Sequence, residues 1–210
     1  MVMLKTAKDY RTEAKNNCEA YTGTLILITL VVMIIELIIG FTIKEKVVID
    51  GMQVTQSRQP LSFLAIFLSG QIAIGWALVS KKVYSRNNLE FGDIFSGFNS
   101  NYFKWSWAYL LQAIYLSLWA IISFGVMAII KSLAYSMTYY ILEDHPTWSV
   151  NEAITESRRI MNGHKWRYFC LILSYLGWMI LCVLTFGILS LWVTPRMNQA
   201  TYLFYKDILA

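Results

Sequence analysis

The chain has 210 residues, 57% hydrophobic and only 15% charged, with a mean hydropathy of +0.48. A soluble domain of this length needs more polar surface, so the composition points to a membrane protein with little chain left for a soluble domain. The net charge of +5 does not make a nucleic-acid binder, which needs a basic face on a soluble fold. The cations instead suit loops held on the cytoplasmic side of a membrane.

Residues 3–20 are mixed and charged. Leu4, Ala7, Tyr10, Ala14 and Cys18 recur at helical spacing, with Lys5, Lys8, Arg11 and Lys15 between them. That pattern predicts an amphipathic helix lying on the membrane surface; the alternative is a solvated tail. The start does not read as a cleaved signal, because the apolar run that follows is too long for one and lacks a small-residue cleavage site.

Residues 24–41 form the first expected span, with Glu36 as its one carboxylate. Residues 42–60 are polar, and Asp50-Gly51 between Val47-Val48-Ile49 and Met52-Gln53-Val54 suggests a small external hairpin. Residues 61–80 form the second span. Ser69, Gly70, Ala73 and Gly75 give it a small-residue face for close packing, with Gln71 among them. In the next connection Phe91, Ile94, Phe95 and Phe98 recur at helical spacing, a second surface helix.

Residues 104–124 form the third span, opened by Trp105 and Trp107 as an interfacial belt. Residues 104–142 as one helix would reach nearly 60 Å, about twice a hydrocarbon core, so a bend is required at Gly125. The return, 126–142, carries Lys131. His145-Pro146 ends it. Ser149-Val150-Asn151-Glu152 is a capping box opening a third surface helix, whose apolar side is Ala153, Ile154, Ser157, Ile160 and Met161 and whose end is Asn162-Gly163. Residues 165–186 form the fifth span, Gly187 its bend, and 188–205 the sixth, which contains Pro195, Arg196, Asn198 and Gln199.

The expected fold is therefore all-α: one polytopic membrane bundle over 1–210, about six transmembrane helices in three hairpins, each preceded by a cytoplasmic amphipathic helix. The units are 1–81, 82–144 and 145–210. The second and third repeat one another in Lys-Trp, Phe-Gly and Thr-Tyr pairs, as internal repeats do in many transporters. Thirteen of the 18 Lys and Arg fall in connections on one side, which puts both termini in the cytoplasm; Lys44, Lys46, Arg58, Lys131 and Arg196 fall towards the other.

The segment 118–209 resembles an uncharacterised family of bacterial multi-pass integral membrane proteins, itself similar to the membrane domain attached to some glycerophosphodiester phosphodiesterases. The resemblance is carried by Leu118-Trp119, Lys131-Ser132-Leu133-Ala134-Tyr135-Ser136-Met137-Thr138, Glu152-Ala153-Ile154, Ser157-Arg158 and Met161-Asn162-Gly163-His164-Lys165-Trp166, then Gly177-Trp178, Gly187-Ile188, Pro195 and Phe204-Tyr205. Phe124-Gly125 stands where the family has Pro-Gly, and Pro195-Arg196 where it has Pro-Tyr. The resemblance implies a fold and a place in the bacterial inner membrane. It supplies no activity, cofactor or catalytic residue.

No triad, HExxH, CxxC or phosphate-loop pattern is present, and Cys18, Cys170 and Cys182 form neither a disulfide framework nor a metal site. No enzyme, cofactor or metal is expected. Glu36, Lys131 and Arg196 are the functional candidates, since ionisable groups within spans face an interior or a cavity; the plainer reading is an ion pair that locks the bundle. Arg158, Arg159, Lys165, Trp166 and Arg167 form a candidate contact for anionic headgroups or a partner. The resulting expectation is a non-enzymatic membrane protein that binds lipid, a membrane protein partner or a second copy of itself. It would act as a scaffold, an envelope modulator or a protector against a membrane-active peptide. The alternative is a small transporter or channel with a polar path between hairpins.

Overall fold

The computed structural model describes residues 5–39, 43–49, 52–58, 62–98, 101–122 and 126–209. The architecture is helical, with one added strand pair. Helix α1 (Ala7–Glu19) leads into α2 (Thr22–Ile39). Strands β1 (Ile43–Ile49) and β2 (Met52–Arg58) pair antiparallel, Val47 opposite Val54, and lead to α3 (Ser62–Tyr84). A 3-10 helix (Phe91–Phe98) precedes α4 (Tyr102–Ile122), α5 (Val126–Tyr135) and α6 (Thr138–Asp144). Then come α7 (Val150–Ile160), α8 (Lys165–Leu173), α9 (Leu176–Leu184) and α10 (Ser190–Leu209). The strand pair forms around the Asp50-Gly51 turn signal, and the expected bend at Gly125 lies outside the described residues.

Capping fixes where two helices start. Ser149 accepts from the Glu152 N–H while the Glu152 carboxylate accepts from the Ser149 N–H, so α7 opens on the expected capping box. Thr6 and Asp9 do the same for α1. At the other end of α7, Gly163 has φ +84°, the left-handed conformation that glycine adopts without a Cβ penalty.

The amphipathic faces are those the spacing predicts, but what covers them is protein. Tyr10, Ala14 and Cys18 of α1 are buried against α10, not laid on lipid. The Tyr10 ring meets Phe204 edge-on at 5.6 Å. On α7, Val150, Ala153, Ile154, Ser157 and Ile160 are buried, packed on α5 and α6. What the expectation had resting on lipid rests on protein: an apolar stripe is satisfied equally well by a neighbouring helix.

Two breaks interrupt the longer apolar runs. Between α5 and α6, Ser157 of α7 fills the gap. Its Oγ donates to the Ala134 carbonyl at 2.8 Å and accepts from the Met137 N–H at 3.3 Å. Between α8 and α9, the Ser174 hydroxyl turns back onto the Leu171 carbonyl, and the Tyr175 N–H bonds three residues back to Ile172. A side chain inserted into the helical ladder is a recognised cause of a kink.

Helix α3 is held close by its glycines. A Cβ on Gly70 would collide with the Trp105 backbone carbonyl, and one on Gly75 with that of Ile94. Gln71 then donates to the Tyr102 carbonyl and to Ser106 Oγ, both at 2.9 Å. Helix α9 ends in a Schellman arrangement. The Gly187 N–H reaches the Cys182 carbonyl, the Phe186 N–H reaches that of Val183, and both Phe186 (φ +51°) and Gly187 (φ +87°) are left-handed.

The main buried cluster draws on α1, α3 to α8 and α10, centred on Tyr10, Tyr140, Met161, Tyr202 and Phe204. Large apolar side chains are exposed towards the hairpin ends, Leu37 and Ile38 of α2, Ile121 of α4, and Val183, Leu184 and Phe186, the last 95% exposed, while Phe103 and Trp166 are exposed at the opposite ends of α4 and α8. Two stretches, Thr22–Ile39 and Lys165–Leu184, are long and apolar enough to cross a membrane. Less than a quarter of each is buried, unlike the core helix of a soluble protein, and both suit contact with lipid.

Candidate functional site

The polar groups of the described chain gather around the C-terminal half of α10, where α1, α3, α6 and α8 converge. Arg167 Nη2 lies 2.8 Å from Asp207 Oδ2 and 3.0 Å from Tyr10 Oη, and the Tyr10 hydroxyl donates to the same carboxylate oxygen at 2.6 Å. On the other flank, Asp144 accepts from Lys206 at 2.9 Å and Tyr205 at 3.1 Å, and pairs with Lys81 at 3.0 Å. Burial pushes the Asp207 carboxyl up, but hydrogen bonds from Tyr10 and Arg167 outweigh it and hold the group below the ordinary aspartate range. The same balance, with Lys206 and Lys81 as donors, holds Asp144 low.

These pairs decide which sequence candidates are available to a ligand. Arg167 is engaged with Asp207 and Tyr10, clamping α8 to α10 and α1. Arg159 makes two hydrogen bonds to Glu156, at 2.6 and 2.7 Å. Arg158 is exposed and Lys165 half-buried. Trp166 is 72% exposed, its ring stacked on Phe169. Arg158, Lys165 and Trp166 therefore remain as an open cation–aromatic patch.

The three charges read as lying within spans do not meet. Glu36 is exposed on α2 and makes no ion pair among the described residues. Lys131 sits 4.4 Å over the Trp119 ring, and the charges acting on it are Arg158 and Lys165. Arg196 lines a groove with Lys8, Arg11 and Lys15. Lys131 and Arg196 therefore have cations, and no carboxylate, as their charged neighbours among the described residues.

A cavity of about 610 Å³ opens among α3, α6, α8 to α10 and the break before α6. Its polar lining includes Ser136, Tyr139, Tyr168, Thr194, Asn198 and Thr201. Tyr139 Oη has no hydrogen-bond partner among the described residues. Among the described residues no charged side chain lines it. Sequence reading missed this cavity, although Ser, Thr and Asn recurring along 190–201 are its signal.

Among the described residues no three of His, Cys, Asp and Glu come together as a metal site. The three cysteines are free. Burial pushes the Cys18 thiol up to about 12, so it is no thiolate nucleophile.

The model of a family described as "Protein of unknown function (DUF975)" matches residues 121–210. No curated protein and no solved structure matches the chain.

Proposed function

We propose that this chain is a non-enzymatic protein of the bacterial cytoplasmic membrane. It enters the bilayer as three helical hairpins with both termini in the cytoplasm, and it binds anionic lipid at its cytoplasmic rim. The observation that carries the reading is a separation. Ion pairs and the buried core gather around one end of α10, while the hairpin ends carry exposed Leu37, Ile121, Val183, Leu184 and Phe186 with no ion pair among the described residues. Exposed Trp166 beside Arg158 and Lys165 suits the interface between those zones. The protein is then a scaffold or modulator whose binding of a membrane protein, a second copy or lipid is its activity.

The test is purification in mild detergent followed by lipid analysis. Enrichment of anionic over zwitterionic phospholipid, relative to the source membrane, supports the reading. Equal recovery of both argues against it.

A second reading, a small transporter or channel, is favoured by the cavity among the hairpins. Its uncharged lining suits a neutral solute better than an ion. Flux of neutral solutes into proteoliposomes, lost in Asn198→Leu at matched insertion, would favour transport over binding.

A further inference from the structure

We infer that the groove between α1, α9 and α10 holds the headgroup of an anionic phospholipid, its phosphate among Lys8, Arg11, Lys15 and Arg196 and its acyl chains along α9. The inference rests on the lipid-binding reading above and gives it a site that the Arg158–Arg167 cluster does not provide.

The groove encloses about 440 Å³, and its charged lining is entirely cationic. Six described cations outside the groove are paired: Lys5 with Glu13, Lys82 with Asp93, Arg159 with Glu156, Arg167 with Asp207, and Lys81 and Lys206 with Asp144. Lys8, Arg11 and Arg196 have no carboxylate within ion-pair distance among the described residues. Lys15 has Glu19 at 3.9 Å, and both side chains are well exposed. Four like charges facing one concavity repel unless an anion enters, so the arrangement complements a phosphate.

The groove is also shaped. Arg11 donates to the Ser174 carbonyl at 3.0 Å, and its guanidinium lies 5.5 Å over the Tyr175 ring. The Tyr175 hydroxyl in turn donates to the Arg196 carbonyl at 3.3 Å. One side chain therefore bridges the two arginine positions and holds the bottom of the groove. Its Ser174 anchor is the break between α8 and α9, so the kink places a carbonyl where Arg11 needs an acceptor.

What adjoins the groove separates a lipid from a free anion. Trp178 is at its edge, and an indole suits the boundary between headgroup and acyl chain. From there α9 runs on with no buried residue, exposing Leu181, Val183 and Leu184. A cationic pocket continuous with an apolar, uncovered helix fits a molecule with a phosphate at one end and hydrocarbon at the other. Inorganic phosphate would have no use for α9.

The test reconstitutes the full chain into nanodiscs of phosphatidylglycerol and phosphatidylethanolamine. Phospholipid retained by the protein is then counted by native mass spectrometry. Wild type retains phosphatidylglycerol preferentially. Lys8→Gln/Lys15→Gln/Arg196→Gln lowers that retention by roughly tenfold or more, Arg196→Lys keeps it, and Arg158→Gln/Lys165→Gln, at the rival rim patch, lowers it less than the triple variant does. Lys8→Gln/Lys15→Gln, which changes exposed side chains only, gives a smaller drop and guards against misfolding of the triple variant. Excess inorganic phosphate leaves the lipid in place. If the triple variant retains as much as wild type while Arg158→Gln/Lys165→Gln loses the lipid, the groove is overturned and the lipid-binding reading survives. If wild type shows no preference, both fall. Displacement by inorganic phosphate alone would make the groove a free-anion site and overturn the inference.

Discussion

Arg167 and Asp207 fasten the last helix to the rest of the protein: Nη2 and Oδ2 are 2.8 Å apart, with the Tyr10 hydroxyl on the same oxygen. The contact joins α1, α8 and α10, three elements far apart in sequence. Each partner is only about a fifth exposed. Such a pair is destabilising to break, because the surviving charge is left without its partner.

The first prediction concerns acid. Asp207 and Asp144 are both held below the ordinary aspartate value in the folded state. A carboxylate with a depressed folded pKa contributes stability that is present above the unfolded value and is lost as pH falls through the folded one. The thermal midpoint in detergent should therefore fall as pH drops below about 4. Asp207→Asn should lower the midpoint at neutral pH and flatten that acid limb. An equally steep limb in Asp207→Asn/Asp144→Asn would show that other groups control it.

Ser157 gives the second prediction. Ser157→Ala leaves the Ala134 carbonyl and the Met137 N–H without their buried partner, at a cost of roughly 1–3 kcal/mol. The readout is denaturant unfolding followed by tryptophan fluorescence. Glu152→Gln keeps an acceptor for the capping box and should cost much less.

Much of this was legible in the sequence. The capping box at Ser149, the buried spacing of Tyr10, Ala14 and Cys18, the small face of Gly70 and Gly75 and the bend at Phe186-Gly187 follow from local chemistry, and the structure has each of them. What covers an apolar stripe is a tertiary fact, so α1 reads as a lipid-facing helix although it packs on α10. The kinks follow a weaker signal: a serine inside an apolar run, Ser136 and Ser174, each donating back to the carbonyl three residues earlier. The clamp of Arg167 on Asp207 joins residues 40 apart and carries no local signature.

Glycine contacts give the third prediction. Gly75→Ala forces a methyl into the Ile94 backbone carbonyl, which cannot swing aside as a side chain can. A loss of about 1–3 kcal/mol is expected. Gly23, on α2, has nothing within 4 Å of an added Cβ. Gly23→Ala should be neutral or stabilise by about 0.5–1 kcal/mol, since it removes unfolded-state freedom. Thermal melts of the two variants side by side check both signs.

The most direct test of the membrane-hairpin account is the position of Phe186. It sits at the tip of the α9–α10 bend, 95% exposed. From Lys165 to Leu184 the chain runs 20 residues, about 30 Å at helical rise, enough to cross a hydrocarbon core. With Cys18, Cys170 and Cys182 replaced by Ala, Phe186→Cys should react with a membrane-impermeant maleimide added to intact cells, while Lys165→Cys should react only after permeabilisation. Phe186→Cys protected from both sides would contradict the six crossings and leave the hairpin inside the bilayer.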